Sequence, residues 1–164
     1  MDPDRIDKRV LLRAPQERVW QAVSDAERFG QWFGVAFDGP FVVGGKLTGR
    51  IAPTTVDPEV AKLQEPHAGM RFAFIVERIE PTRLIAFRWH PYAVDPSVDY
   101  SREPTTLIEF VLEPTTDGTL LSITESGFDR IPLERRAKAF AANDGGWEMQ
   151  TKLIEKYLTM RHVD

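Results

Sequence analysis

At 164 residues, with 42% hydrophobic and 28% charged residues, the sequence has the composition of a chain that folds around one core, and one domain over residues 1–164 is expected. A net charge of −4 argues against a nucleic-acid partner, because phosphate binding needs a basic surplus. The lack of cysteine excludes disulfides, thiolate nucleophiles and cysteine-ligated zinc, and without a run of about 18 apolar residues no membrane span is expected.

The N-terminus, MDPDRIDKRV, is charged and has no apolar signal region, so a cytoplasmic location is expected. Residues 5 to 14 then alternate. Ile6, Val10, Leu12 and Ala14 share one parity, and Arg5, Asp7, Arg9 and Arg13 the other. This is the pattern of a half-buried strand, with Lys8 as an exception tolerable on a sheet edge. Pro15 suits the first position of a helix striped by Val19, Trp20 and Val23, with Glu17 near its positive end. A second short helix is predicted from Ala26 to Phe33, ending at Gly34.

Gly39-Pro40 and Gly44-Gly45 mark turns around short strands at Val35 to Asp38 and Lys46 to Ala52. Residues 53 to 68 hold three prolines and read as a loop, with one helical turn at Glu59 to Gln64. Met70, Phe72, Phe74 and Val76 share a parity on the next strand. After a turn at Glu80-Pro81-Thr82, Ile85, Phe87 and Trp89 continue on another. A second proline-rich loop spans 91 to 104. Thr106, Ile108, Phe110 and Leu112 then face Leu121 and Ile123 across an Asp117-Gly118 turn. Links this short imply an antiparallel meander, since parallel neighbours need long crossovers.

One long helix closes the chain, from Pro132 to about His162, striped by Phe140, Trp147, Thr151, Ile154 and Leu158, with Leu153 and Tyr157 beside it. Gly145 and Gly146 fall in its middle, each costing about 1 kcal/mol relative to alanine. Close backbone packing on the sheet, or a kink, is the leading reason to keep them; room for a ligand beneath the helix is the other.

Four stretches, in this order, resemble one known family. APQERVWQAVSDAERFGQWF (Ala14 to Phe33) is similar to the opening of the SRPBCC, or START-like, superfamily, whose helix-grip fold is shared with the birch-pollen allergen. PTRLIAFRW (Pro81 to Trp89), TTLIEFVLE followed by GTLLSITESGF, and Gly145 to Leu158 resemble its branch named for the activator of the 90-kDa heat-shock protein (HSP) ATPase, in its bacterial single-domain form. The likeness covers nearly the whole chain, and the two proline-rich loops lie outside it. It implies an α+β helix-grip fold: a curved antiparallel sheet of about six to seven strands around the C-terminal helix, with two short helices after the first strand. Function follows less directly, because this scaffold carries lipid carriers, hormone receptors, cyclases and co-chaperones.

Glu125 shares parity with Leu121 and Ile123. It is either a carboxylate entering an apolar pocket, where a cation would answer it, or a cross-strand partner on the surface. Arg88 and His90 have the opposite parity to Phe87 and Trp89, so pairing Arg88 with Glu125 needs a bulge or different faces. His90, Asp95 and Asp99 match no metal motif, and no metal, cofactor or catalytic residue is assigned. The aromatic residues suffice both to fill a core and to line a cavity. The expected function is a binder of a small hydrophobic, lipid-like or aromatic ligand held between sheet and C-terminal helix, with Phe74, Phe87, Trp89, Phe110, Ile123, Glu125, Phe140, Trp147 and Ile154 as cavity candidates. The alternatives are a co-chaperone whose partner is a chaperone, activating an HSP ATPase, and a cyclase- or aromatase-like enzyme using Glu125, Arg88 or His90.

Overall fold

The structure, a computed structural model, describes residues 5–93, 95 and 97–160. Seven strands form one curved antiparallel sheet: β1 (Arg5–Leu12), β2 (Val35–Phe37), β3 (Lys46–Ile51), β4 (Arg71–Glu80), β5 (Leu84–Trp89), β6 (Thr106–Thr115) and β7 (Gly118–Ser126). Their order is β1-β7-β6-β5-β4-β3-β2, so β2 to β7 run as a meander and β1 closes the far edge beside β7. Two helices, α1 (Gln16–Ser24) and α2 (Ala26–Phe33), cross between the two edges. A third, α3 (Pro58–Gln64), lies in the first proline-rich loop, and α4 (Leu133–Thr159) packs along the concave face. This is the α+β helix-grip architecture that the strand and helix order implied.

Local chemistry explains most element ends. The Asp25 side chain accepts from the backbone N–H groups of Glu27 (2.9 Å) and Arg28 (3.2 Å) and so opens α2; Gly34 closes it in the left-handed region at φ 95°. The first strand stops two residues before Ala14, where its pairing with β7 ends at Leu12 opposite Thr119. The Thr119 hydroxyl then holds the Ala14 carbonyl at 2.9 Å and turns the chain into α1. Lys8 is not simply tolerated at an edge. Its ammonium reaches Asp144 (3.1 Å) and Glu148 (3.3 Å) and ties β1 to the middle of α4.

The terminal helix also departs from expectation. It ends at Thr159, since Met160 is extended (φ −75°, ψ 153°); His162 lies outside the described residues. Gly145 and Gly146 do not break it, and neither packs closely on the sheet. A Cβ at either position would meet nothing within 4 Å. Close backbone approach is therefore not what these glycines provide.

The space between sheet and helices is largely filled. Phe29 and Trp32 of α2 are fully buried, and the Phe29 ring lies 5.8 Å from both Phe87 and Phe110 on the sheet. Trp32 satisfies its indole N–H on the Ala22 carbonyl at 2.9 Å. A wide apolar cavity would need the volume these side chains occupy, and close packing of this kind is what holds the core together. Among the described residues, no helix is long and apolar enough to cross a membrane.

Candidate functional site

Strand register brings three side chains of the concave face together. Trp89 of β5 pairs with Thr106 of β6, and Glu125 of β7 pairs with Ile108, two residues further along β6 on the same face. Opposite them, α4 contributes Asn143, Trp147 and Gln150, four and three residues apart and so on one side of the helix. Phe33, the last residue of α2, completes the group. Its carbonyl accepts from Gln150 Nε2 (3.1 Å) and from Gln64 Nε2 (3.0 Å), which anchors the end of α2 to both α4 and the first proline-rich loop.

Glu125 is the centre of this arrangement. It is fully buried, at 0% exposure. Its Oε2 accepts from Trp89 Nε1 at 2.7 Å and from the Thr106 hydroxyl at 2.5 Å. Its Oε1 accepts from Trp147 Nε1 at 2.8 Å, and Asn143 Nδ2 lies 3.0 Å from both oxygens. Indole N–H is a donor only, so Glu125 acts here as the acceptor that fastens sheet to helix. Burying such a group costs several kcal/mol unless it is fully hydrogen-bonded, which these neutral donors accomplish.

The two indoles held by Glu125 stack on one another, with ring centroids 5.8 Å apart and planes at 29°. Phe33 lies 6.2 Å from Trp89 and 5.9 Å from Trp147. Beside these rings is a cavity of about 60 Å³, lined by Phe33, Trp89, Asn143, Gly146, Trp147 and Gln150. That volume holds about two water-sized groups, against the several hundred Å³ of a pocket that swallows a whole drug-sized ligand. Gly146 is among its lining residues, and a Cβ there would meet no atom within 4 Å.

A much larger concavity, about 1060 Å³, is an open groove between α1, α2 and the β2 region. Its buried walls are Gly30, Val35 and Phe41, none with a polar side chain. The small cavity differs in combining aromatic walls with the buried polar side chain of Gln150.

Of the residues expected to line a cavity, Trp89 and Trp147 do so and Glu125 lies directly behind them. Phe74, Phe87, Phe110, Ile123 and Ile154 pack in the core beneath, with Phe110 edge-on to Trp147 at 5.8 Å. Phe140 lies apart from the group, half-buried against Phe128 at 5.1 Å. Arg88 points away from Glu125, its guanidinium 3.2 Å from Glu77. Asp95 and Asp99 cap turns through Ser97 and Ser101, and the described residues contain no cluster of His, Asp and Glu that could hold a metal. Sequence reasoning missed Phe33, Thr106, Asn143 and Gln150. The helical spacing Asn143–Trp147–Gln150 was the available signal for two of them.

The described chain is similar to known proteins in both sequence and fold. The family model described as "Activator of Hsp90 ATPase homolog 1-like protein" matches residues 13–159. None of the curated proteins matches significantly. Among solved structures, a protein from Arthrobacter aurescens superposes with a TM-score of 0.72 at 18% identity, covering 97% of this chain and 89% of that one. A protein from Mesorhizobium loti gives 0.70 at 19% identity over 97% and 99% of the two chains. The Aha1 dimer from Colwellia psychrerythraea gives 0.67 at 18% identity over 95% and 96%. At these identities the structural likeness speaks for the fold alone.

Proposed function

Because the chain belongs to the Activator of Hsp90 ATPase homolog 1-like family, on a scaffold with ligand-binding members, we propose that it binds a small molecule with an apolar or aromatic body at the Trp89–Trp147 cavity. The observation that carries this reading is the pair of stacked indoles, both fixed by the buried Glu125, bordering a space that Gly146 leaves open. Fixing the rings beforehand lowers the ordering cost of binding, and the ring faces supply apolar contact area. Only one end of a ligand fits inside about 60 Å³; the remainder lies along the cavity mouth.

The test is a titration of the ¹⁵N-labelled chain with small aromatic probes, following the indole N–H signals of Trp89 and Trp147. Saturable shifts confined to these two and their neighbours are expected. Shifts spread over the core, or none from any probe, count against the reading. A chaperone-activating role would instead use an outer surface. ATPase rates of a purified bacterial chaperone, with and without the chain, separate the two; no stimulation is expected.

A further inference from the structure

Two features of the cavity remain unexplained by apolar contact alone. The first is Gln150, only 6% exposed, whose Oε1 has no hydrogen-bond partner. Its Nε2 donates to the Phe33 carbonyl at 3.1 Å. Turning the amide over would set Oε1 against that carbonyl, so the orientation is determined by its partner. A buried acceptor is thereby left bare in a residue that lines the cavity, a cost of the kind a donor group would remove.

The second feature is the charge behind the walls. All the hydrogen bonds that Glu125 receives come from neutral groups: Trp89, Thr106, Asn143 and Trp147. Trp89, Asn143 and Trp147 meet it through N–H groups, which can only donate, so Glu125 is the acceptor in these bonds. Two of those donors are the indoles that border the cavity. An indole N–H bonded to a carboxylate is polarised toward it, which enriches the ring, and enriched ring faces attract cations.

Building on the reading of the Trp89–Trp147 cavity as the ligand site, we infer that it takes an N–H-bearing organic cation. This is a primary or secondary ammonium group on an apolar or aromatic body. The ammonium donates to Gln150 Oε1 and lies against the Trp89 and Trp147 rings, in front of Glu125. A neutral hydroxyl would satisfy Gln150 without using the field of Glu125. A quaternary ammonium would use the rings without satisfying Gln150. The cavity's room for about two water-sized groups suits a nitrogen and the carbon that bears it.

Three probes separate these contributions in the unaltered chain at fixed ionic strength: benzylammonium, benzyl alcohol and benzyltrimethylammonium, each followed by the indole N–H signals of Trp89 and Trp147. Benzylammonium is expected to bind about tenfold more tightly than either of the others, over benzyltrimethylammonium through its hydrogen bond to Gln150 and over benzyl alcohol through its charge against the indole rings. Gln150→Met should weaken benzylammonium about tenfold and leave benzyltrimethylammonium nearly unchanged. Equal affinity for benzyl alcohol overturns the cation preference. Equal affinity for benzyltrimethylammonium, or indifference to Gln150→Met, overturns the role of Gln150. In both cases the indole signals still move, so the cavity reading survives. If no probe moves them, the cavity holds water only and both inferences fall. Because the probe comparison uses the unaltered chain, it decides the matter even if Gln150→Met does not fold.

Discussion

Alanine at positions 145 and 146 makes a matched pair of perturbations. Both glycines lie inside α4, and a Cβ built at either meets nothing within 4 Å, so neither substitution creates a clash. Helix propensity alone then predicts that each stabilises the chain by about 1 kcal/mol, which for a domain of this size raises Tm by about 2–4 °C. The two differ in what the new methyl reaches. Gly145 is exposed and takes no part in the cavity, whereas Gly146 is part of its wall. A methyl is comparable in size to a water molecule, so at 146 it takes up about half of the 60 Å³. Removing room for one carbon-sized group weakens a snug ligand by about 10- to 200-fold. Gly146→Ala should therefore be more stable and bind probes at least tenfold more weakly, while Gly145→Ala should be more stable and bind normally. Thermal unfolding and indole-monitored titration read both quantities. A fall in stability for Gly146→Ala would mean that the space above it is not open. Unchanged affinity would mean that ligands do not enter there, and the proposed site would be refuted.

Three other expectations follow from the surrounding structure. Glu125→Ala removes the acceptor for four donors, several of them buried, and should cost on the order of 4 kcal/mol in chemical denaturation; a loss below about 1 kcal/mol would show that water replaces the carboxylate without difficulty. Arg135 clips the second proline-rich loop, bonding the carbonyls of Pro91 and Tyr92 (both 3.0 Å) and Glu103 (2.8 Å), and lying 4.8 Å over the Tyr100 ring. Arg135→Ala should cost about 2 kcal/mol and speed amide exchange around Tyr100–Glu103, with exchange unchanged if the loop is held by other means.

Burial holds the His90 imidazole below its ordinary value of 6.5, an effect that Arg135 and Lys46 reinforce and that Glu103 and Asp99 oppose. A depressed pKa means the unfolded chain binds the proton more readily. This contribution to stability is complete above pH 6.5 and is lost as pH falls through the lower folded value. The slope of stability against pH just below 6.5 should flatten in His90→Asn; an unchanged slope would assign it to other groups.

Much of the architecture was legible because it is dictated locally. Alternation of Ile108, Phe110 and Leu112 needs only the pleat of a strand, and the stop at Gly34 needs only a residue at ease with φ 95°. Asp25 opens α2 through atoms two and three residues away. Where reading stalled, the deciding atoms were distant. The parity of Glu125 put it on the face of Leu121 and Ile123, yet parity could not say whether that face was the concave one. Nor could it show that four neutral donors, not a cation, would meet the carboxylate. Those donors lie on β5, β6 and α4, and only strand register and the rotation of α4 bring them to one point.

The size of the cavity was beyond sequence reading for the same reason. An abundance of aromatic residues fits a filled core as well as a lined pocket. The outcome turned on Phe29 and Trp32 of α2 entering the space under α4 and packing against Phe87 and Phe110. The sequence by itself determined the order of elements, the antiparallel meander and the family, since these rest on period, punctuation and motif order along the chain. Tertiary structure alone decided that Gly146 borders open space, that Glu125 locks two indoles together, and that Gln150 is left with a bare oxygen. Each is a relation between segments far apart in sequence, and it exists only once the sheet has closed on its helix.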